Sequence, residues 1–437
     1  MHKFRNLALL FALPLVTMAT AVSAKEPKIV VELAPASTFD MRVEQLVPVL
    51  NGQMAYEAFF TPSFLAAVPP AQIKAISDSF TQQYGKALSV QSVQRSGTNN
   101  ATLQVEYDKA VATIEITTEA SPPFKVAGLL AKGFAVKGDS IDKIKADFGA
   151  LSGTSGFVVQ KLSDDGVATL YAVNADTQFA TGSTFKLYVL AELASQVAGG
   201  QRRWSDVVPL GVRNHSSAGT QNWPLDTPVT LQTLATWMIS VSDNAATDAL
   251  MRELGRDAVE GKLATIGHSA PDKALPMLTT VEAFALKSNP ALRQRFEKAS
   301  EAGQRELLTS ERAALSYGAI DMSQLGSGPV AIDTIEWSAS PKDTTLLLNN
   351  LRRTDSQTAR DIMAVNNGIG PATASKWRYF GYKGGSEPGV ISMSFLTQSR
   401  AGDWYAISGS WNNPAKDVDN VAFVQLMTRL LDSVVAN

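Results

Sequence analysis

The sequence predicts an α+β protein whose larger, C-terminal part is a five-stranded antiparallel sheet with helices on both faces. A smaller α+β unit precedes it. Three observations lead there. Two alternating strands near residue 160 and a three-strand meander near the end bracket a long helical block, and an amphipathic helix closes the chain. Helices followed by short turn-separated strands also appear once on their own, before residue 135.

The chain opens on a positive start, Lys3 and Arg5. An apolar run from Leu7 to Met18 follows, then the small-residue stretch Val22-Ser23-Ala24. That is the pattern of a secretory signal cleaved after Ala24, and the run falls short of the roughly 20 apolar residues a bilayer demands. The expectation is a periplasmic or secreted protein with no membrane span after signal removal. What remains exceeds the roughly 250–300 residues at which a single core stops growing, so at least two domains are expected. Net charge is −2, which offers no footprint for nucleic acid.

The first unit covers 25–135. Helical periodicity marks about 41–50, 53–66 and 71–84, the last opening after Pro69-Pro70. Alternating runs follow at 88–93, 101–107 and 110–116. The order resembles the cone-shaped ketosteroid-isomerase-like fold. A seam falls near Lys132 to Gly138, and the second unit covers 139–437. It begins with a helix at about 139–149 and strands at 156–162 and 167–173. It ends with strands 379–383, 390–397 and 404–411 and a helix that Asp417 is expected to cap.

Scarce residues exclude chemistry. With no cysteine there is neither a thiol nucleophile nor a thiolate metal site, and of three histidines only His215 and His268 outlast the signal. No HExxH and no GxSxG pattern occurs. No metal or cofactor is expected; a Ser-His-Asp triad stays open, but for an activated serine a lysine is the favoured base.

Three motifs fit that chemistry. Ser183-Thr184-Phe185-Lys186 opens an apolar helix, which puts Lys186 on the face of Ser183 and the positive helix end at the hydroxyl. A second Ser-x-x-Lys, Ser140 to Lys143, lies on a polar stretch and reads as accidental. Ser242-Asp243-Asn244 follows, a triplet that by itself reads equally as a helix cap or turn. Lys383-Gly384-Gly385-Ser386 ends a strand, where paired glycines permit close backbone approach; a plain hairpin end is the competing reading.

In this order, Ser-x-x-Lys, Ser-Asp-Asn and Lys-x-Gly resemble the signature of class A β-lactamases and penicillin-binding proteins. The interval from Ser183 to Ser242 and the flanks Thr181-Gly182 and Met238-Ile239-Ser240-Val241 are also similar to that family. The resemblance implies that Ser183 becomes acylated, that Lys186 is a candidate base and that Ser242 relays a proton to the leaving nitrogen. Lys383 would keep the site positive and Asn244 would hold the substrate's amide side chain. The N–H groups of Ser183 and Ser386, with Gly385 beside them, would form the oxyanion hole.

The chain departs from the class A pattern in one respect. None of the glutamates between Ser242 and Lys383 has an asparagine four residues on, so the deacylating glutamate of that family has no counterpart by pattern. The segment is also longer and reads as inserted helix around 280–318. Glu282 is the nearest positional candidate, but Thr279-x-x-Glu282 is equally a capping box. The fusion of a cone-like unit to a lactamase-like unit resembles a two-domain type found in clavulanic acid biosynthesis. Three readings therefore stay open: hydrolysis of a β-lactam, a D-alanyl-D-alanine carboxypeptidase or esterase of the same fold, and a β-lactam-binding protein with little deacylation. The partner in each is a small β-lactam or peptidoglycan-like substrate.

Overall fold

Four helices open the described part of the chain: α1 (Phe39–Leu50), α2 (Tyr56–Phe59), α3 (Pro62–Ala67) and α4 (Pro70–Tyr84). The structure, a computed structural model, describes residues 39–435 apart from Ser327 and Asp355. The expected signal segment lies outside those residues. The single helix expected at 53–66 is broken in two. Phe60 bridges to Val126 and Thr61 caps the second piece, accepting the Phe64 N–H at 3.2 Å. Pro62 at N1 has no N–H to carry the first helix onward.

Strands β1 (Ala87–Arg95), β2 (Asn100–Tyr107), β3 (Ala110–Thr118) and β4 (Val126–Val136) form an antiparallel sheet in that order. No strand was expected where β4 lies, because Gly128 and Gly133 interrupt its pattern. One face of the sheet is apolar, with Leu103, Val105, Ile114 and Ile116 packing under Phe39, Leu46, Phe59 and Phe80.

The second sheet follows helix α5 (Ile141–Gly149), which Ser140 caps by accepting the Lys143 N–H at 3.2 Å. The extra Ser-x-x-Lys is thus a helix start. Next come β5 (Thr154–Leu162), β6 (Val167–Val173), the short β7 (Phe179–Ala180), a 3₁₀ turn at Gly182–Phe185 and α6 (Lys186–Ala198). A small ribbon, β8 (Val207–Pro209) with β9 (Pro228–Thr230), leads into α7 (Leu231–Ser240), α8 (Asn244–Leu254) and α9 (Arg256–Ile266). The region around 280–318 contains α10 (Thr280–Ser288), α11 (Pro290–Lys298) and α12 (Glu301–Ser310), separate short helices where one inserted helical stretch was expected. Pro290 and Ser300 begin the second and third. Strand β10 (Ser338–Ala339) pairs with β7. Then α13 (Pro341–Arg353), α14 (Gln357–Ala364) and α15 (Pro371–Ala374) precede β11 (Tyr379–Glu387), β12 (Val390–Gln398), β13 (Trp404–Asn412) and α16 (Asn420–Val435).

The five-stranded antiparallel sheet has the order β11-β12-β13-β5-β6. Alternation sends Phe157, Met393, Phe395 and Ile407 to one face, against Phe148 of α5 and Phe423, Met427 and Leu430 of α16. Leu162, Leu396 and Ala406 face the other way, onto α6, α13 and α14. Helices therefore cover both faces. The cap of α16 is Asp419, which accepts the Ala422 N–H at 3.0 Å, and not Asp417. Asp419 also accepts from Ser79 of α4, and Val421 packs on the first core, so α16 touches both cores. Among the described residues no helix is long and apolar enough to cross a membrane.

Candidate active site

Ser183 sits in the 3₁₀ turn before α6 and is half-buried. Its hydroxyl has no hydrogen-bond partner among the described residues. The α-helix begins only at Lys186, one turn later than the sequence suggested. Residues three apart across such a start still share a face.

Lys186 is fully buried. Its ammonium donates to the Ser242 carbonyl at 2.6 Å, the Asn244 Oδ1 at 2.7 Å and the Ser242 Oγ at 3.2 Å. Burial pulls its pKa down to about 7, against the upward pull of Asp248 and Asp243.

Ser242 lies between α7 and α8 in the left-handed region, φ 59°. For a serine that backbone costs roughly 1–3 kcal/mol, and such strain persists where neighbours over-determine it. Here they do. Asp243 caps α8, accepting the Ala246 N–H at 2.8 Å and the Thr220 hydroxyl at 2.7 and 2.8 Å. The triplet is therefore a helix cap as well as part of the site. The strained serine turns its hydroxyl to both lysines, since Lys383 Nζ donates to the same Oγ at 3.0 Å.

Lys383 comes from the middle of β11 and is 2% exposed. It also donates to the Gly384 carbonyl at 2.5 Å. Burial first, and the neighbouring Lys186 charge second, hold its pKa well below the usual lysine range. The expectation that Lys383 keeps the site positive meets an obstacle, because two ammonium groups on one buried oxygen repel each other. Asn244 is likewise turned inward. Its Oδ1 serves Lys186 and its Nδ2 donates to the His215 carbonyl at 3.1 Å.

Two residues beyond Lys383 on the same face of β11, Gly385 meets the turn that carries Ser183. A β-carbon there would overlap the Thr181 carbonyl oxygen and the Ser183 nitrogen. The Gly182 β-carbon position is likewise 3.2 Å from the Ser386 nitrogen. Close backbone approach is the reason for the glycine. It brings the N–H groups of Ser183 and Ser386 to one place, with Ser386 itself exposed.

Glu282 stands apart from this cluster. Both halves of the capping box are present, with Glu282 Oε2 accepting the Thr279 N–H at 2.7 Å and Thr279 accepting in return at 3.2 Å. Its other oxygen takes the Arg256 guanidinium at 2.6 Å.

Sequence reasoning overlooked Asp248. Buried beneath Asn244 on α8, it accepts from Asn214 Nδ2 (2.9 Å), Thr280 N (2.7 Å) and Oγ1 (2.8 Å), and Val281 N (3.0 Å). Burial raises its pKa to about 6. Its i+4 spacing from Asn244 was a readable signal.

The family model described as the β-lactamase enzyme family matches residues 139–367. No curated protein matches. Among solved structures, a β-lactamase from Sphaerobacter thermophilus DSM 20745 is 20% identical, with 68% of this chain and 95% of that one covered and a TM-score of 0.46. A structure of PBP-A is 15% identical over 68% and 95%, TM-score 0.46. A β-lactamase from Chitinophaga pinensis DSM 2588 is 15% identical over 68% and 98%, TM-score 0.44.

Proposed function

The chain belongs to the β-lactamase enzyme family, and from that premise we propose that it is an exported active-site-serine hydrolase forming an acyl-enzyme on Ser183. The observation that carries this reading is the shared oxygen of Ser242. Lys186 and Lys383 both reach it, while β11 lays Gly385 against the Ser183 nitrogen.

The chemistry follows from the groups present. The Ser183 oxygen attacks a carbonyl as its proton passes to neutral Lys186, whose pKa near 7 leaves a free amine available at neutral pH. Negative charge on the former carbonyl oxygen meets the N–H groups of Ser183 and Ser386, a device worth about 3–4 kcal/mol per donor. The C–N bond then breaks, and the nitrogen takes a proton through the Ser242 hydroxyl. Hydrolysis adds water across the ester and returns the serine. In this reading 25–135 and 139–437 are separate units and the second carries the chemistry. The substrate is a β-lactam, reached in the periplasm or outside the cell.

One observation favours a slower second half. Glu282 is committed to its cap and to Arg256. No carboxylate replaces it among the groups bonded to Lys186, Ser242 and Lys383. The adduct then lasts, and the protein traps β-lactams more than it destroys them.

Intact-mass measurement after exposure to a penicillin tests both readings. The wild type should gain the mass of one penicillin and Ser183→Ala none, and the decay of the adduct measures deacylation. A wild type that neither gains mass nor hydrolyses the penicillin ends the acyl-enzyme reading.

A further inference from the structure

Behind the nucleophile's turn lies a buried ionic cluster that the steps above do not use. Lys287 of α10 donates to Glu336 at 2.9 Å and also to Glu387, the last residue of β11. Side-chain exposure is 3% for Lys287 and 4% for Glu336. The second oxygen of Glu336 accepts the Gly182 N–H at 3.1 Å and the Trp337 N–H at 3.2 Å. The Trp337 indole lies flat on Phe185, with ring centroids 3.9 Å apart at 2°, and donates to the Leu278 carbonyl at 2.9 Å. Glu336 thus grips the residue before Ser183 directly and the residue two after it through Trp337.

Strand alternation ties the cluster to the rest of the site. Lys383, Gly385 and Glu387 share one face of β11. Along that face the strand offers Lys383 to Ser242, Gly385 to the Ser183 nitrogen and Glu387 to Lys287. One ammonium faces two carboxylates. Burial first, and Glu336 second, push the Glu387 carboxyl well above the ordinary carboxylate range, so that one carboxyl holds the surplus proton.

We propose that Lys287, Glu336 and Glu387 form a positioning site that clamps the nucleophile's turn to β11 and thereby sets the oxyanion hole of Ser183 and Ser386. The inference rests on the acyl-enzyme reading and assigns a task to the helices α10 to α12, which supply Lys287 and lead into Glu336. None of the three touches substrate. A buried ion cluster is weak evidence for stability, whereas a misplacement of about 1 Å in a reacting group can cost ~100-fold in rate.

Two replacements of Glu336 separate clamp from filler. Glu336→Gln keeps an acceptor for Gly182 and leaves Lys287 neutralised by Glu387. Glu336→Met keeps the volume and the same charge balance but offers no acceptor. The readout is the rate of Ser183 acylation by a fluorescent penicillin, resolved from the affinity of the complex that precedes it. Glu336→Gln should acylate within about 3-fold of wild type. Glu336→Met should be slowed on the order of 100-fold, the cost of losing one oxyanion donor, with affinity altered less than about 3-fold. Should Glu336→Met fail to fold, the double change Lys287→Met with Glu336→Gln, which buries no unpaired ammonium, should still slow acylation about 10-fold. Equal rates in wild type, Glu336→Met and the double variant overturn the clamp and leave the acyl-enzyme reading standing. A wild type that neither takes up label nor hydrolyses the penicillin overturns both.

Discussion

Lys383 donates to the Ser242 hydroxyl at 3.0 Å, and Lys186 reaches the same oxygen at 3.2 Å. Two buried amines on one hydroxyl cannot both stay charged cheaply, because little water remains to screen them. Burial lowers both pKa values, that of Lys186 to about 7, and the Lys186 charge lowers that of Lys383 further.

Acylation should accordingly rise with pH. Lys186 has its pKa lowered to about 7, so its free-amine fraction grows from about pH 6 and levels off above about pH 8. The second-order rate constant for labelling by a penicillin, followed across that range, checks this. A rate constant that falls through pH 7 would exclude Lys186 as base.

Asp248 supplies the largest upward pull on Lys186. Replacing it by asparagine keeps an amide for hydrogen bonding but withdraws the charge. The acidic limb of the acylation profile should then move to lower pH. An unmoved limb would mean that Asp248 only fastens α10 to α8.

Ser242→Ala leaves both lysines without their common acceptor and removes the relay to the leaving nitrogen. Acylation should slow by roughly 10²–10⁴-fold, the usual worth of a positioned proton-transfer group. Because Lys186 still has Asn244 and the residue 242 carbonyl, the variant should fold. Stopped-flow labelling and a melting curve together test both halves.

Glu282→Gln should leave the decay of the penicillin adduct unchanged. It should also weaken the fold by no more than about 1 kcal/mol, because glutamine still serves as the capping-box acceptor and only the charge facing Arg256 is lost. Urea unfolding measures the second effect and intact mass the first. A longer-lived adduct would instead make Glu282 a participant in hydrolysis.

Gly385→Ala would push a methyl group into the Thr181 carbonyl and the Ser183 nitrogen. Since the obstruction is backbone on both sides, the turn or the strand must move. Acylation should fall by about 100-fold or more if the oxyanion donors separate. Labelling rates against wild type give the answer.

Much of the fold was legible because its signals are local. The alternation of β12 and β13, the apolar run of α6 and the capping pair Thr279 and Glu282 each lie within a few residues. Where a local pattern was weak, the reading slipped. The glycines of β4 concealed a strand, Pro62 split a helix, and Asp419 took the cap expected of Asp417.

Residue types and their order determined that Ser183, Lys186, Ser242 and Lys383 were the groups to examine, since an uncommon chemistry needs uncommon combinations. Charge states and directions were decided only by the fold. Burial disfavours the charged form of both lysines, and helix α8 turns the Asn244 carbonyl oxygen toward Lys186. The Lys287, Glu336 and Glu387 cluster had no sequence signature, because its members are brought together by a tertiary approach of α10, the residues before β10 and the end of β11. Spacing in a chain records which residues can share a helix face or a strand face. It does not record which distant segments will exclude solvent from one another, and solvent exclusion is what sets the protonation of this site.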